Sequence, residues 1–104
     1  MILVIAEQRD GVLHRASWEP ILAAQQTGQP VQVAVAGVSL ASVAGELAAA
    51  EVEAVLTIEH PALESYTPDG FVAAFADVVT GTQPDLVFLP HTYQTREFAP
   101  KLAV

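Results

Sequence analysis

The 104-residue chain has no cysteine and only four basic residues against twelve acidic ones. Without cysteine there is no disulfide framework and no cysteine-ligated zinc or iron–sulfur centre. Four bases cannot neutralise many phosphates, and a formal charge of −8 repels a polyanion, which argues against a nucleic-acid partner. Long hydrophobic runs are missing too. The apolar stretches last five to seven residues and are broken by Gly, Pro or Glu, far short of the ~18–20 residues of a membrane span. Nor is a signal peptide expected: no basic region precedes Ile2, and Glu7 ends the first apolar run. Met1 reads as a native N-terminus, and the cytoplasm of a prokaryote is the expected compartment.

Glycine motifs are absent as well. The six glycines stand at 11, 28, 37, 45, 70 and 81, so neither G-x-G-x-x-G nor a P-loop occurs. His14, His60 and His91 fall in separate loops with no second ligand at metal spacing, and they read as surface loop residues. Ser17, Ser39, Ser42 and Ser65 fall at caps or in loops, with no G-x-S-x-G elbow. Glu51 and Glu53 read as a solvated strand edge. No catalytic constellation emerges.

What remains is abundant apolar sequence: 52% of residues are hydrophobic and 15% charged, which excludes disorder and allows one domain. Ile2–Ala6, Val31–Ala36, Ala54–Ile58 and Leu86–Leu89 are nearly continuous apolar runs, as expected of strands covered on both faces. Between them lie helical spacings. Trp18, Ile21 and Leu22 follow the N-cap candidate Ser17 and stop at Gly28. Leu40, Val43, Ala44, Leu47 and Ala48 follow Ser39, a second candidate. Phe71, Val72, Phe75, Val78 and Val79 follow Thr67 and Pro68, and Gly81 is expected to end that helix. A last helix is expected to start near Arg96–Pro100. The alternation predicts an α/β fold: an open, doubly wound, mostly parallel sheet in the order 3-2-1-4, with a topological switch point between strands 1 and 4. The loop Glu59–Pro68 is expected to lie over one end of the sheet.

The four bases are Arg9, Arg15, Arg96 and Lys101, and from Ala16 to Thr95 the chain has nine acids and no base. Two bases follow strand 1 and two follow strand 4. The predicted order makes these segments neighbours at the carboxyl ends of the central strands, where open α/β sheets bind ligands. One reading is an anion or partner contact site helped by the last helix N-terminus. The other is local pairing with Glu7, Asp10 and Glu97.

ILVIAEQRDGVL at the start resembles the V-L-V-I-A-E-H-x-x-G-x-L opening of the electron transfer flavoprotein alpha subunit. Glu7, Gly11 and Leu13 match, and Gln8 stands where His is common. VQVAVAG, ending at Gly37, resembles that family's second strand. AAAEVEAVLTIEH resembles A-x-x-G-V-x-x-V-L, with Glu51 where Gly is common. PDLVFLPHT (Pro84–Thr92) resembles P-D-L-V-L-x-P-x-T. TREFAPKLA (Thr95–Ala103) resembles G-K-D-L-x-P-R-x-A, with Thr95 for Gly and Lys101 for Arg. The resemblance runs the whole chain in order.

It implies an adenine-nucleotide-hydrolase-like architecture and the N-terminal domain of a longer two-domain subunit. In that family FAD sits mainly on the C-terminal domain against a beta subunit, and electrons arrive from dehydrogenases. No FAD-binding residue carries over to this chain, so FAD is expected only in the full-length protein. The implied role is an electron-carrier component that scaffolds the heterodimer, not an enzyme. The short stretch after Pro100 suggests a cut inside a helix, with Leu102 and Val104 beginning an apolar face that never completes. Two alternatives stay open: a free-standing nucleotide-binding module of universal-stress-protein type, and a self-associating interaction domain, that is, a homo-oligomer.

Overall fold

A computed structural model describes residues 1–103 of the chain. Its central sheet is parallel: β1 (Ile2–Ile5), β4 (Val31–Gly37), β5 (Ala54–Glu59) and β6 (Leu86–Phe88) stand in the order β5-β4-β1-β6. This is the 3-2-1-4 order expected from the alternation. β1 is central: Ile2 lies beside Val31 on one side and Leu86 on the other. Every residue of β1 is buried.

Both faces of the sheet are covered, which is why the strands do not alternate. Ile2, Val4, Val31, Val33 and Val35 pack with Ile21 and Ala24 of α1 (Trp18–Gln25) and with Val43 and Leu47 of α2 (Ala41–Ala48). On the opposite face, Leu3, Ile5, Ala34 and Ala36 meet Phe71 and Phe75 of α3 (Pro68–Thr82) and Phe98 of α4 (Tyr93–Ala103). Small Ala34 and Ala36 leave room for the rings, and Phe75 stacks on Phe98 at 5.7 Å between centroids.

Several local expectations are corrected. Ser17 holds the N-cap position of α1, but its side chain makes no capping hydrogen bond. It lies in a 3-10 turn (Arg15–Ser17) with helical backbone angles, and His14 Nδ1 caps that turn by accepting from the Ala16 N–H at 3.0 Å. Ser17 instead turns inward to β1, where its Oγ accepts from the Glu7 N–H at 2.9 Å. Ser39 does not cap α2 either. It is exposed with φ +55°, and the Leu40 N–H ahead of α2 donates to the Glu59 carboxylate at 2.7 Å. His60, like His14, is a cap, with Nδ1 accepting from Ala62 N–H at 3.0 Å. Thr67 does cap α3, accepting from Gly70 N–H at 3.2 Å with Pro68 in the first turn. That helix runs past Gly81 to Thr82 and stops at left-handed Gln83, ahead of Pro84. The last helix begins at Tyr93, earlier than expected, and holds Pro100 in its interior. Val104, expected to start an apolar face with Leu102, lies outside the described residues.

A short antiparallel hairpin, β2 (Gln8–Arg9) with β3 (Val12–Leu13), follows β1. Its turn residues Asp10 and Gly11 both have positive φ, the conformation an Asp-Gly hairpin turn requires. Gln8 ties the hairpin to the sheet: its side chain accepts from Gly11 N–H at 2.9 Å and donates to the Ala36 carbonyl at 3.1 Å. A Cβ on Gly37, which has φ +149°, would collide with that Gln8 amide.

Glu51, which stands where the resembled family commonly has Gly, adopts φ +61°. A side chain in this left-handed region is strained, so Glu51→Gly should raise stability by up to about 1 kcal/mol despite the added chain freedom. Urea denaturation of the two proteins measures it.

Candidate functional site

The loops after β1 and β6 meet at the switch point. Strand β1 delivers Glu7 there, immediately after its fully apolar run, and the side chain is only 5% exposed. Glu7 Oε1 accepts a 2.6 Å hydrogen bond from the Thr92 hydroxyl, 85 positions away in the chain. Thr92 immediately precedes α4, and its Oγ also receives the Thr95 N–H at 3.1 Å. A hydroxyl has one proton. Thr92 gives that proton to the carboxylate, so the Thr95 hydroxyl, 3.0 Å away, is the donor in their contact.

The network joins the central strand to the first turn of α4 and puts a negative charge at that helix's N-terminal end. Free N–H groups and the helix dipole favour an anion in such a place. Here the Thr92 hydroxyl takes the Thr95 N–H, and the chain's own carboxylate lies behind it as that hydroxyl's acceptor. The second oxygen, Oε2, is buried without a hydrogen-bond donor and is met by Arg9 Nε at 3.4 Å, within ion-pair range. The backbone of Glu7 is held as well: its N–H by Ser17, and its carbonyl by His14 N–H at 2.8 Å.

The four bases do not share one site. Arg9 is exposed on the hairpin beside Glu7 and lines a pocket of about 590 Å³. Arg15 is exposed in the 3-10 turn. Arg96 lies over the exposed Tyr93 ring, 5.9 Å from its centroid, and lines a different hollow with Leu89 and Pro90. Lys101, on the same helix, reaches Asp69 in the first turn of α3, 3.4 Å away.

Glu7, Thr92, Tyr66 and Tyr93 were not singled out as site residues by the sequence. Thr92 had a local signal, a hydroxyl three residues before Thr95, and Glu7 stood out only as a family match and as an acid beside the bases. Tyr66 comes from the loop before α3, and its hydroxyl donates to the Gln94 carbonyl at 3.2 Å. Burial, then the neighbouring Glu97 carboxylate and the more distant Glu7 charge, push its phenol well above the ordinary value. A proton held more tightly in the folded state than in the unfolded state stabilises the fold below the unfolded pKa. That contribution is lost as the unfolded chain ionises first, so stability should fall as pH rises above about 10. Tyr66→Phe should flatten this alkaline loss, as read by urea denaturation across that range.

The residues here do not fit the phosphates of a dinucleotide such as FAD. The helix N-terminus is engaged by Thr92 and Glu7. The adjoining pocket presents Asp10, Glu64 and Glu97 against Arg9. Among the described residues no cluster of three metal-ligating side chains occurs, and no helix is long and apolar enough to cross a membrane.

The sequence profile of the electron transfer flavoprotein domain matches residues 2–104. A relative from Bacillus subtilis (strain 168), named electron transfer flavoprotein subunit alpha, is 34% identical; the match covers 98% of this chain and 32% of the relative. A protein of the same name from Syntrophomonas wolfei is 28% identical over 96% of this chain and 32% of its own length. A third, from Anaerotignum propionicum, is named acryloyl-CoA reductase electron transfer subunit beta; it is 28% identical over 98% of this chain and 29% of its own length. The chain thus spans about a third of the length of the curated relatives it matches. With the profile matched from the first strand to the last helix, the chain belongs to the electron transfer flavoprotein domain family.

Proposed function

We propose that this chain is the N-terminal scaffold domain of an electron transfer flavoprotein alpha subunit. In this reading it pairs with a beta subunit, and FAD is held on a further domain. The whole complex carries electrons from dehydrogenases towards a respiratory chain in a prokaryotic cytoplasm. The chain is a carrier component and not itself an enzyme. One observation carries the reading: at the switch point, where a nucleotide-binding relative of this architecture would seat a phosphate, the Thr92 hydroxyl caps the helix and is itself held by the buried Glu7 carboxylate.

The free edge of β6 supports the reading of a larger whole. Leu86 is half exposed there, and hollows of about 380 and 600 Å³ flank the strand on the α1 and α4 sides. Such an edge suits another strand. Exchange with added FAD followed by gel filtration tests the assignment of the cofactor. The purified chain should elute colourless, whereas stoichiometric retained flavin would contradict it.

A further inference from the structure

The pocket of about 590 Å³ between the hairpin, the loop before α3 and the start of α4 has two kinds of wall. Tyr66, Phe71 and Tyr93 supply aromatic surface, and Asp10, Glu64 and Glu97 supply negative charge. Tyr93 is 86% exposed, the most open of the large apolar side chains. An aromatic ring left this open at the rim of an acidic pocket suits a cation, whose charge is attracted to the ring face. The chain already uses this chemistry once, with Arg96 over Tyr93.

Arg9 is the one base among the lining residues, and its charge is set against buried Glu7. That leaves three carboxylates facing the opening, and they outnumber the bases even with Arg96 included. A formal charge of −8 on the whole chain attracts cations and repels phosphates in general.

We propose that this pocket receives a basic side chain, arginine or lysine, from a protein partner, with the cationic head beside Tyr66 and Tyr93 and against Glu97. An arginine suits it best, because the planar guanidinium stacks on a ring while donating to a carboxylate. The proposal deepens the scaffold reading by naming the chemistry of a docking contact, and it stands apart from the FAD experiment, which concerns only the cofactor.

The test is an NMR titration of the isotope-labelled chain with acetyl-Ala-Arg-Ala-amide, run beside acetyl-Ala-Glu-Ala-amide. Saturable shifts should appear at Tyr66, Tyr93, Gln94 and Glu97 with the arginine peptide alone. They should weaken in high salt. Tyr93→Ala and Glu97→Gln replace exposed side chains, so the fold survives, and each should lower the affinity about two- to fivefold. Equal binding of the glutamate peptide, no saturable shift, or an affinity indifferent to both substitutions would overturn the proposal.

Discussion

Phe75→Ala should cost about 3–5 kcal/mol of stability, the largest loss expected from any single truncation in the α3–α4 layer. Phe75 is 1% exposed and touches two other rings, Phe71 at 6.1 Å and Phe98 at 5.7 Å between centroids. Under the rings lie Ala34 and Ala36, whose side chains are too short to collapse into a vacated space. The cavity would therefore persist, and the cost should sit high in the range. For a domain of about this size the melting temperature drops by about 4–8 °C per kcal/mol, so thermal unfolding would show the change plainly. A total stability of about 5–15 kcal/mol makes such a loss close to disabling. A drop of only a few degrees would mean that α3 does not turn this face to the sheet.

Glu7→Ala is expected to have the second largest effect, about 2–3 kcal/mol, because it removes a charge-assisted hydrogen bond and a favourable charge at a helix N-terminus. Thr92 would lose its acceptor, and Arg9 would lose the carboxylate 3.4 Å away. The loss is moderated because Oε2 is itself buried without a donor. Thr92→Val, which keeps the shape but loses the hydroxyl, should cost a similar amount, and the double variant should cost less than the sum. Urea denaturation of the three variants gives the coupling. Strict additivity would mean that the strand and the helix are held independently.

The sheet was legible in the sequence because strands buried on both faces leave unbroken apolar runs, and the intervening helical spacings force parallel crossovers. Misreadings came where distant residues decide. Ser17 looked like a cap because it precedes a helical spacing, but its hydroxyl goes to the Glu7 N–H just after β1. The start of α2 is held by Glu59, nineteen residues on from Leu40, which no local pattern announces. The last helix was expected near Arg96–Pro100, whereas it begins at Tyr93, with the Thr92 hydroxyl taking the Thr95 N–H of its first turn. The Asp10–Gly11 hairpin had a local signal, hidden by the shortness of its strands.

The candidate site was harder to read than the fold. Four bases after strands 1 and 4 left two readings in the linear order, an anion or partner contact site and local pairing with Glu7, Asp10 and Glu97. In three dimensions Arg9 meets Glu7, Arg96 lies over Tyr93, and Lys101 is carried about 12 Å along α4 from its first residue to reach Asp69. What stands at the switch point is the Glu7 carboxylate, which the sequence offered as a family match and as a local partner for a base, while its tie to Thr92, 85 positions away, had no local sign.

Calorimetric titration of the chain with AMP and ATP tests this account most directly. With the first turn of α4 capped by Thr92 and the Glu7 carboxylate held directly behind it, neither nucleotide should give a saturable heat. Tight, stoichiometric binding of either one would contradict the account, because a phosphate would then be lodging where the carboxylate lies.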